Sequence, residues 1–335
     1  MVPQGLGDMA QQLMLRRNGS ALSGDIKRLS SELSTGRVVD QGKRVQGDFS
    51  VVSHLTKMIR TSETAKANAE FSKIFLGAQQ SALEIITRHT ISHMTDYATF
   101  DQNPMPQAAK LLARSMNESF TDTIGALNTS FAGRSIFAGV DGDRPAVADA
   151  EAILQELVSI IPANADAAAV GQIIDDWFAV GGGFDNPGFS RGAITPQPLE
   201  LLPGQTVAHD VTGRDPALRT TLAAFAKGAI VEAGVLAADP DQEIALLRPV
   251  FTMMKSAGDG LIQLSAKIGL QEARAARISS EAEAQNAAST IAKAEMLEAD
   301  PYDTATKLEA AMAQLDRIYM LTARLSRLSL TEYLR

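Results

Sequence analysis

Residues 308–325, LEAAMAQLDRIYMLTARL, carry an apolar or small side chain at alternating spacings of three and four residues. The positions concerned are Leu308, Ala311, Leu315, Ile318, Thr322 and Leu325. This spacing is the seam of a coiled coil, because it keeps one stripe of a helix facing a partner helix. The sequence therefore predicts a long C-terminal helix that packs along another helix.

The N-terminal segment has a matching pattern over residues 8–33. Its apolar positions, spaced seven and four residues apart, are Leu15, Leu22, Ile26, Leu29 and Leu33. Gly36 can adopt the left-handed backbone conformation that ends many helices. We therefore predict a first helix that ends near this glycine and is able to pair with the helix at the other end of the chain.

The prolines separate two ends that can form long helices from a middle that cannot. Nine of the 13 prolines lie between positions 145 and 249, and proline breaks helices. A helix of about 50 residues is predicted over 50–100, where no proline occurs. Residues 131–216 lose the helical period and contain short apolar stretches between turn residues, at 199–202 and 206–208, which predict small strands.

These patterns predict a mainly α fold, with a long helical bundle or coiled coil formed by the N- and C-terminal segments and a small mixed α/β inserted domain. The predicted divisions are terminal coiled-coil segments at 1–36 and 302–335, a helical rod at 37–140 and 215–301, and an acidic insert with short strands at 141–214. Residues 101–250 carry a net charge of −10, whereas the whole chain carries −8. This acidity argues against nucleic-acid binding, which depends on Lys and Arg.

The later helix boundaries are predicted from proline and capping residues. A nearly unbroken helix is expected from about 242 to 299. Asp300-Pro301 should interrupt the helical pattern, and Asp303 or Thr304 should cap the helix that follows.

Composition excludes several classes of protein. The 335 residues include no cysteine, which excludes disulfides, thiolate metal sites and cysteine nucleophiles. No apolar run reaches the roughly 18 residues that a membrane-spanning helix needs. The first thirty residues also lack the apolar core of a signal peptide, so we expect neither membrane insertion nor a cleavable leader.

The sequence contains no persuasive catalytic or metal-binding pattern. His89 and His93 are four residues apart on a predicted helix, but the intervening residues lack the glutamate of a metalloprotease motif. We predict that they are ordinary helix-surface histidines. Asp141-Gly142-Asp143 lacks the twelfth-position glutamate of a calcium loop and predicts a plain turn. The expectation is a protein without catalysis, cofactor or bound metal.

The apolar seams of the two ends allow two interpretations. Their leucines can be buried inside a monomeric helical bundle. Alternatively, the two terminal helices can pair and present their remaining apolar surface to neighbouring subunits. Periodicity alone is compatible with both.

Three segments resemble the flagellin superfamily. Leu29-Ser-Ser-Glu-Leu-Ser-Thr-Gly-Arg37 is similar to the Leu-Ser-Thr-Gly-Arg or Lys phrase that closes the first helix in that superfamily. Residues 127–139, LNTSFAGRSIFAG, resemble the Gly-Arg-aromatic-Leu-Phe-Ala-Gly phrase of the hook–filament junction family, the third hook-associated proteins. The ending 323–334, ARLSRLSLTEYL, is similar to that family's Leu-Ser-Leu-Leu-Asn-Tyr-Leu close. The positions that match the family phrases are Leu33, Ser34, Thr35, Gly36, Arg37, Gly133, Arg134, Phe137 and Gly139.

The chain departs from the family after Arg37. An Asn and a Ser-Asp-Asp-Pro-like loop are usual there, whereas this chain has VVDQGKRVQGDFS at residues 38–50. Contacts of the family's loop are therefore not expected to transfer to these residues.

The resemblance implies a structural subunit of the bacterial flagellum that joins the hook to the filament. It implies export through the flagellar type III channel to the outside of the cell. The implied partners are hook-associated protein one, flagellin, further copies of the chain in a ring and an export chaperone, with no nucleic acid and no membrane insertion. The terminal segments are implied to be disordered before assembly and to form a coiled-coil tube afterwards.

The terminal helices supply the expected assembly interface. Its predicted residues are Leu15, Leu22, Ile26, Leu29, Leu33, Leu308, Leu315, Ile318, Leu325, Leu328 and Leu330. Two alternatives remain open at this point, a filament flagellin with a short outer domain and, more distantly, a cytoplasmic coiled-coil scaffold.

Overall fold

The fold comes from a computed structural model and comprises two compact units. The structure describes residues 5–102, 104–139, 141–190 and 198–333. The terminal unit consists of Met1–Ser62 together with Ala284–Arg335, and the central unit consists of Glu63–Glu283.

Helices make up most of the described chain. They are α1 (Gly5–Thr35), α2 (Gln41–Arg44), α3 (Ser50–Gln102), α4 (Pro106–Leu127), α5 (Ala150–Ile160), α6 (Ala167–Phe178), α7 (Pro216–Glu232), α8 (Pro240–Leu247), α9 (Val250–Leu297) and α10 (Pro301–Tyr333). The strands are β1 (Ser130–Phe131), β2 (Arg134–Ser135), β3 (Leu199–Leu202) and β4 (Gln205–Val207), paired as two antiparallel hairpins. The predicted mainly α fold with a small mixed insert is confirmed. Among the described helices, none has the length and apolarity needed to cross a membrane.

In the terminal unit, α1 packs along α10. These helices have 31 and 33 residues, about three times the average helix length in globular proteins. Most of the stability of such a helix comes from packing its apolar face. The contact between α1 and α10 is therefore what we expect to stabilise both helices.

The core of the central unit is built around α7, which packs on α4. Nearly every side chain of α7 from Leu218 to Val231 is buried, as expected for a helix enclosed on all sides. Phe225 on α7 and Phe120 on α4 are fully buried. Ile153 of α5 and Ile174 of α6 belong to the same buried cluster, so the helices of the predicted insert share this core.

The start of α10 differs from the prediction. Pro301 is its first residue, so the predicted caps, Asp303 and Thr304, are wrong. Asp300 Oδ1 instead accepts hydrogen bonds from the N–H groups of Tyr302 and Asp303, at 2.9 and 3.1 Å. Proline suits the first helical position because an N–H there would have no partner within the helix.

The helix predicted from about 242 to 299 is also divided. α8 ends at Leu247 and α9 begins at Val250, with Pro249 between them. Because proline lacks an N–H and its ring collides with the preceding turn, an uninterrupted helix through this position is unfavourable.

A close contact between α7 and α4 leads to a testable prediction. A methyl group added at Gly228 would overlap the Met116 side chain and lie 2.8 Å from its Sδ. Gly228→Ala should therefore lower the free energy of unfolding by about 1–3 kcal/mol, the usual effect of overpacking. Gly258→Ala on α9 is the matched control, since nothing lies within 4 Å of its added methyl, and should raise stability by about 0.5–1 kcal/mol. Urea unfolding measures the stability of both variants, and equal stabilisation by Gly228→Ala and Gly258→Ala would contradict the prediction.

Candidate assembly interface

The residues predicted for assembly belong to α1 and α10, the two helices that pack together in the terminal unit. Leu29 is the most buried of them, with 5% of its surface exposed. Six are half-buried, namely Leu15, Leu22, Ile26, Leu308, Leu315 and Ile318. Leu33 is exposed. The side chains of the remaining three, Leu325, Leu328 and Leu330, lie outside the described residues.

Both helices also expose apolar side chains that their pairing does not cover. Leu13 and Met14 on α1 are 70% and 67% exposed, and Met312, Tyr319 and Met320 on α10 are exposed as well. We call these five residues the outer apolar surface. Groups of exposed apolar side chains are typical of protein-binding surfaces. The pair of helices thus has a packed seam and, in addition, apolar surface available to a partner.

The first helix ends with a left-handed residue. Gly36 has a φ of +67°, a conformation that glycine adopts without steric cost, and its N–H donates to the Glu32 carbonyl at 2.9 Å. The hydroxyls of Ser34 and Thr35 both donate to the Ser31 carbonyl, at 3.0 and 2.7 Å. The Ser-Thr-Gly phrase therefore provides the hydrogen bonds and the backbone turn that terminate α1.

Beyond this turn, the chain pairs with the junction between α9 and α10. Two backbone hydrogen bonds of 3.0 Å connect residues 36–38 to residues 297–299. Arg37 lies opposite Glu298 in an antiparallel bridge. The end of the first helix is thereby fastened beside the start of the last one.

Glu32 supports the same junction and was not singled out from the sequence. Its side chain is buried, its Oε1 accepts from the Val39 N–H at 3.0 Å, and its Oε2 accepts from Arg28 at 3.2 Å. A buried carboxylate needs such partners to remain charged. The spacing of Arg28 and Glu32 on one helix face was a visible signal, whereas the contact with Val39 depends on the path of the loop.

The hairpin β1–β2 carries the second family-like phrase. Ala132 and Gly133 have φ angles of 51° and 76°, as a two-residue type I′ turn requires. The following Phe137 is fully buried. Gln79 of α3, also buried, donates to the Ile136 carbonyl at 2.6 Å, so this phrase is packed against α3 within the central unit.

The other two matching positions of this phrase are Arg134 and Gly139. Arg134 is on β2, and its Nε would be 3.0 Å from a methyl group added at Gly142. Gly139 has a φ of +62°, which favours glycine. The absence of a side chain at Gly142 therefore leaves room for the arginine.

The histidines differ from the prediction that both lie on the helix surface. His93 is buried, with 4% of its surface exposed, because α4 and α7 cover this face of α3. Its Nε2 lies 2.8 Å from Ser119 Oγ, and His89 Nδ1 lies 3.1 Å from the same oxygen. Within the part of the chain that the structure describes, no group of three or more His, Asp or Glu residues is placed to bind a metal ion.

Residues 8–141 match the family model for the bacterial flagellin N-terminal helical region. This range covers α1 to α4 and the first hairpin, and thus both the Ser-Thr-Gly phrase and the 127–139 phrase. The match covers less than half of the chain; it agrees with the resemblance to the flagellin superfamily and supports a structural protein of the flagellar filament type. A comparison with curated proteins found no match.

Proposed function

We propose that this chain is the adaptor that joins the flagellar hook to the flagellin filament. The match over residues 8–141 supports a subunit of the flagellar axis. Within that class, the observation that carries the junction role is the resemblance of residues 127–139 to the hook–filament junction family. Its partners would be hook-associated protein one on one side, flagellin on the other and neighbouring copies of the chain, with an export chaperone before assembly.

We assign one role in the assembly to each of the predicted domains. The segments at 1–36 and 302–335 would enter the assembled structure and become ordered with their neighbours. The helical rod at 37–140 and 215–301 would support them, and the acidic insert at 141–214 would face the solvent.

The outer apolar surface provides a driving force for this assembly. Burying an exposed leucine or methionine side chain contributes roughly 1.5–3 kcal/mol. Several such residues on one pair of helices therefore favour association strongly when each copy meets a complementary neighbour. The interface residues proposed from the seam, from Leu15 to Leu330, would lie beside or beneath this surface.

Deletion of the gene tests the junction role. The deletion strain should retain its hooks, form no attached filaments and release flagellin into the medium, because flagellin would have no adaptor on which to assemble. Expression of the full chain from a plasmid should restore attached filaments. Normal filaments on the deletion strain would contradict the proposal.

A filament flagellin is the second candidate, since the matched family model describes the flagellin N-terminal helical region. In that case purified protein should grow into long filaments when seeded with filament fragments, and the deletion strain should release no flagellin. A protein found only inside the cell would favour the more distant alternative of a coiled-coil scaffold.

A further inference from the structure

The histidine–serine cluster consists of His89 and His93 on α3 and Ser119 on α4. One hydroxyl serves both imidazoles, since Ser119 Oγ lies 2.8 Å from His93 Nε2 and 3.1 Å from His89 Nδ1. Ser119 and His93 are buried, whereas the His89 side chain is 28% exposed. The cluster thus connects two turns of α3 to α4 at a single buried oxygen.

The proton count of the cluster favours neutral imidazoles. A hydroxyl has one hydrogen, so Ser119 can donate to one ring nitrogen and accept from the N–H of the other ring. A protonated imidazole is a donor at both nitrogens. If His89 and His93 were both protonated, the hydroxyl hydrogen would lose its acceptor and two positive charges would lie on either side of one oxygen.

The surroundings of His93 provide little stabilisation for the positive charge that its ring would carry when protonated. Its Nδ1 is buried without a hydrogen-bond partner, and Asp96 Oδ2 on the same helix is 3.8 Å away. From α7, the uncharged ring of Phe225 lies 5.4 Å from the imidazole centre. The nearby Asp122 of α4 faces His89 instead, at 3.6 Å from its Nε2.

We propose that the histidine–serine cluster is an acid-sensitive contact that loosens α4 from α3 in mildly acidic surroundings. Burial lowers the pKa of His93 below its ordinary 6.5; Asp96 and the Ser115 carbonyl act in the opposite direction, and His89 lowers it further. The unfolded or opened chain therefore binds a proton more readily than the closed one. The contact contributes its full stability above about pH 6.5 and loses it as the pH falls below that value.

Amide hydrogen exchange of the full chain between pH 7.5 and 5, corrected for intrinsic exchange rates, tests this proposal. As the pH is lowered, the protection factors of residues 86–97 and 112–123 should fall by up to about tenfold per pH unit, which is the limit when opening is coupled to the uptake of one proton. His93→Gln can still bond Ser119 but does not titrate, so it should abolish this dependence. His54→Gln, at an exposed position of α3, is the matched control and should leave it unchanged.

Equal pH dependence of protection in the unaltered chain and in His93→Gln would overturn the proposal, because another group, such as the half-buried His209, would then be responsible. If His93→Gln does not fold, NMR titration of the histidine rings in the unaltered chain replaces it. The His93 ring should titrate below its ordinary 6.5, together with the loss of protection in α3 and α4. Titration of the His93 ring at or above 6.5, with protection unchanged, would also overturn it.

Discussion

Replacing Arg219 by methionine should lower the free energy of unfolding of the central unit by about 3–5 kcal/mol. Arg219 is buried near the start of α7, and its Nη2 donates to the Asp185 carboxylate. Its Nη1 donates to the carbonyls of Phe178 and Ala179, at 3.2 Å each. Its Nε also donates to the Arg214 carbonyl, at 2.7 Å. Methionine has a similar length but no donor, so it would leave a carboxylate and three carbonyls without this partner.

The Asp185 carboxylate accounts for much of the expected effect. It also accepts from the Gly181 N–H at 2.6 Å and lies 3.6 Å from Arg214 Nε. Burial raises the pKa of Asp185, but the hydrogen bonds from Arg219 and Gly181 and the two positive charges outweigh burial and bring it below 3.8. The charged form therefore stabilises the fold above that pH and ceases to do so as the pH falls. Arg219→Met should weaken this dependence.

Urea unfolding followed by the fluorescence of Trp177, the single tryptophan of the chain, measures this loss close to the site. Arg219→Lys keeps the charge but not the forked donor, and should recover only part of the stability. Arg114→Met is the matched control, since Arg114 is exposed on α4 and pairs with Glu118 one turn away; it should change stability by less than about 0.5 kcal/mol. Equal losses for the two methionine variants would contradict the prediction.

Replacing Leu13 and Met14 together by serine should weaken assembly by about a hundredfold to ten-thousandfold. Both side chains are exposed on α1, and burying each on association would contribute roughly 1.5–3 kcal/mol. Every 1.4 kcal/mol changes an equilibrium constant about tenfold. Because neither side chain is covered in the single chain, urea unfolding should change little. Sedimentation of the assembled protein measures the effect, together with filament attachment in the complemented deletion strain.

Two further variants separate association from folding. Leu29→Ala removes a buried side chain of α1, the helix that packs on α10, and should destabilise the terminal unit by about 2–3 kcal/mol. Val180→Ser removes an apolar side chain that is 83% exposed in the central unit, and should affect neither property. Normal assembly of the Leu13/Met14 double variant would contradict the role of the outer apolar surface.

The helices at the two ends could be predicted because their signal is local. Leu15, Leu22 and Leu29 recur every seven residues and form an apolar stripe along one side of α1, the helix that packs against α10. The hairpin strand at 199–202 was predicted for a similar reason, since a short apolar stretch between turn residues is typical of a small strand. Periodicity did not reveal which apolar side chains, such as Leu13, would remain uncovered, because that depends on the angle at which the helices meet.

The polar contacts of the central unit could not be predicted, because their partners are distant in sequence. Gln79 donates to the carbonyls of Ile136 and Val211, which are 57 and 132 residues away. Nothing around Gln79 in the sequence distinguishes it from a surface glutamine. The burial of His93 was missed for the same reason, since it results from helices that lie far along the chain. Gly36 was more informative, since the end of α1 at this residue follows from its backbone freedom.

The junction between residues 36–38 and 297–299 has a consequence for the order of folding. Arg44, next to this junction, donates to the Met296 carbonyl across 252 residues of chain. Closing so long a loop has a large entropic penalty unless the intervening chain is already compact, and contacts of high sequence separation form slowly. The central unit should therefore fold before the terminal one. In any process in which the chain emerges N-terminus first, α1 therefore remains unpaired until α10 has also emerged.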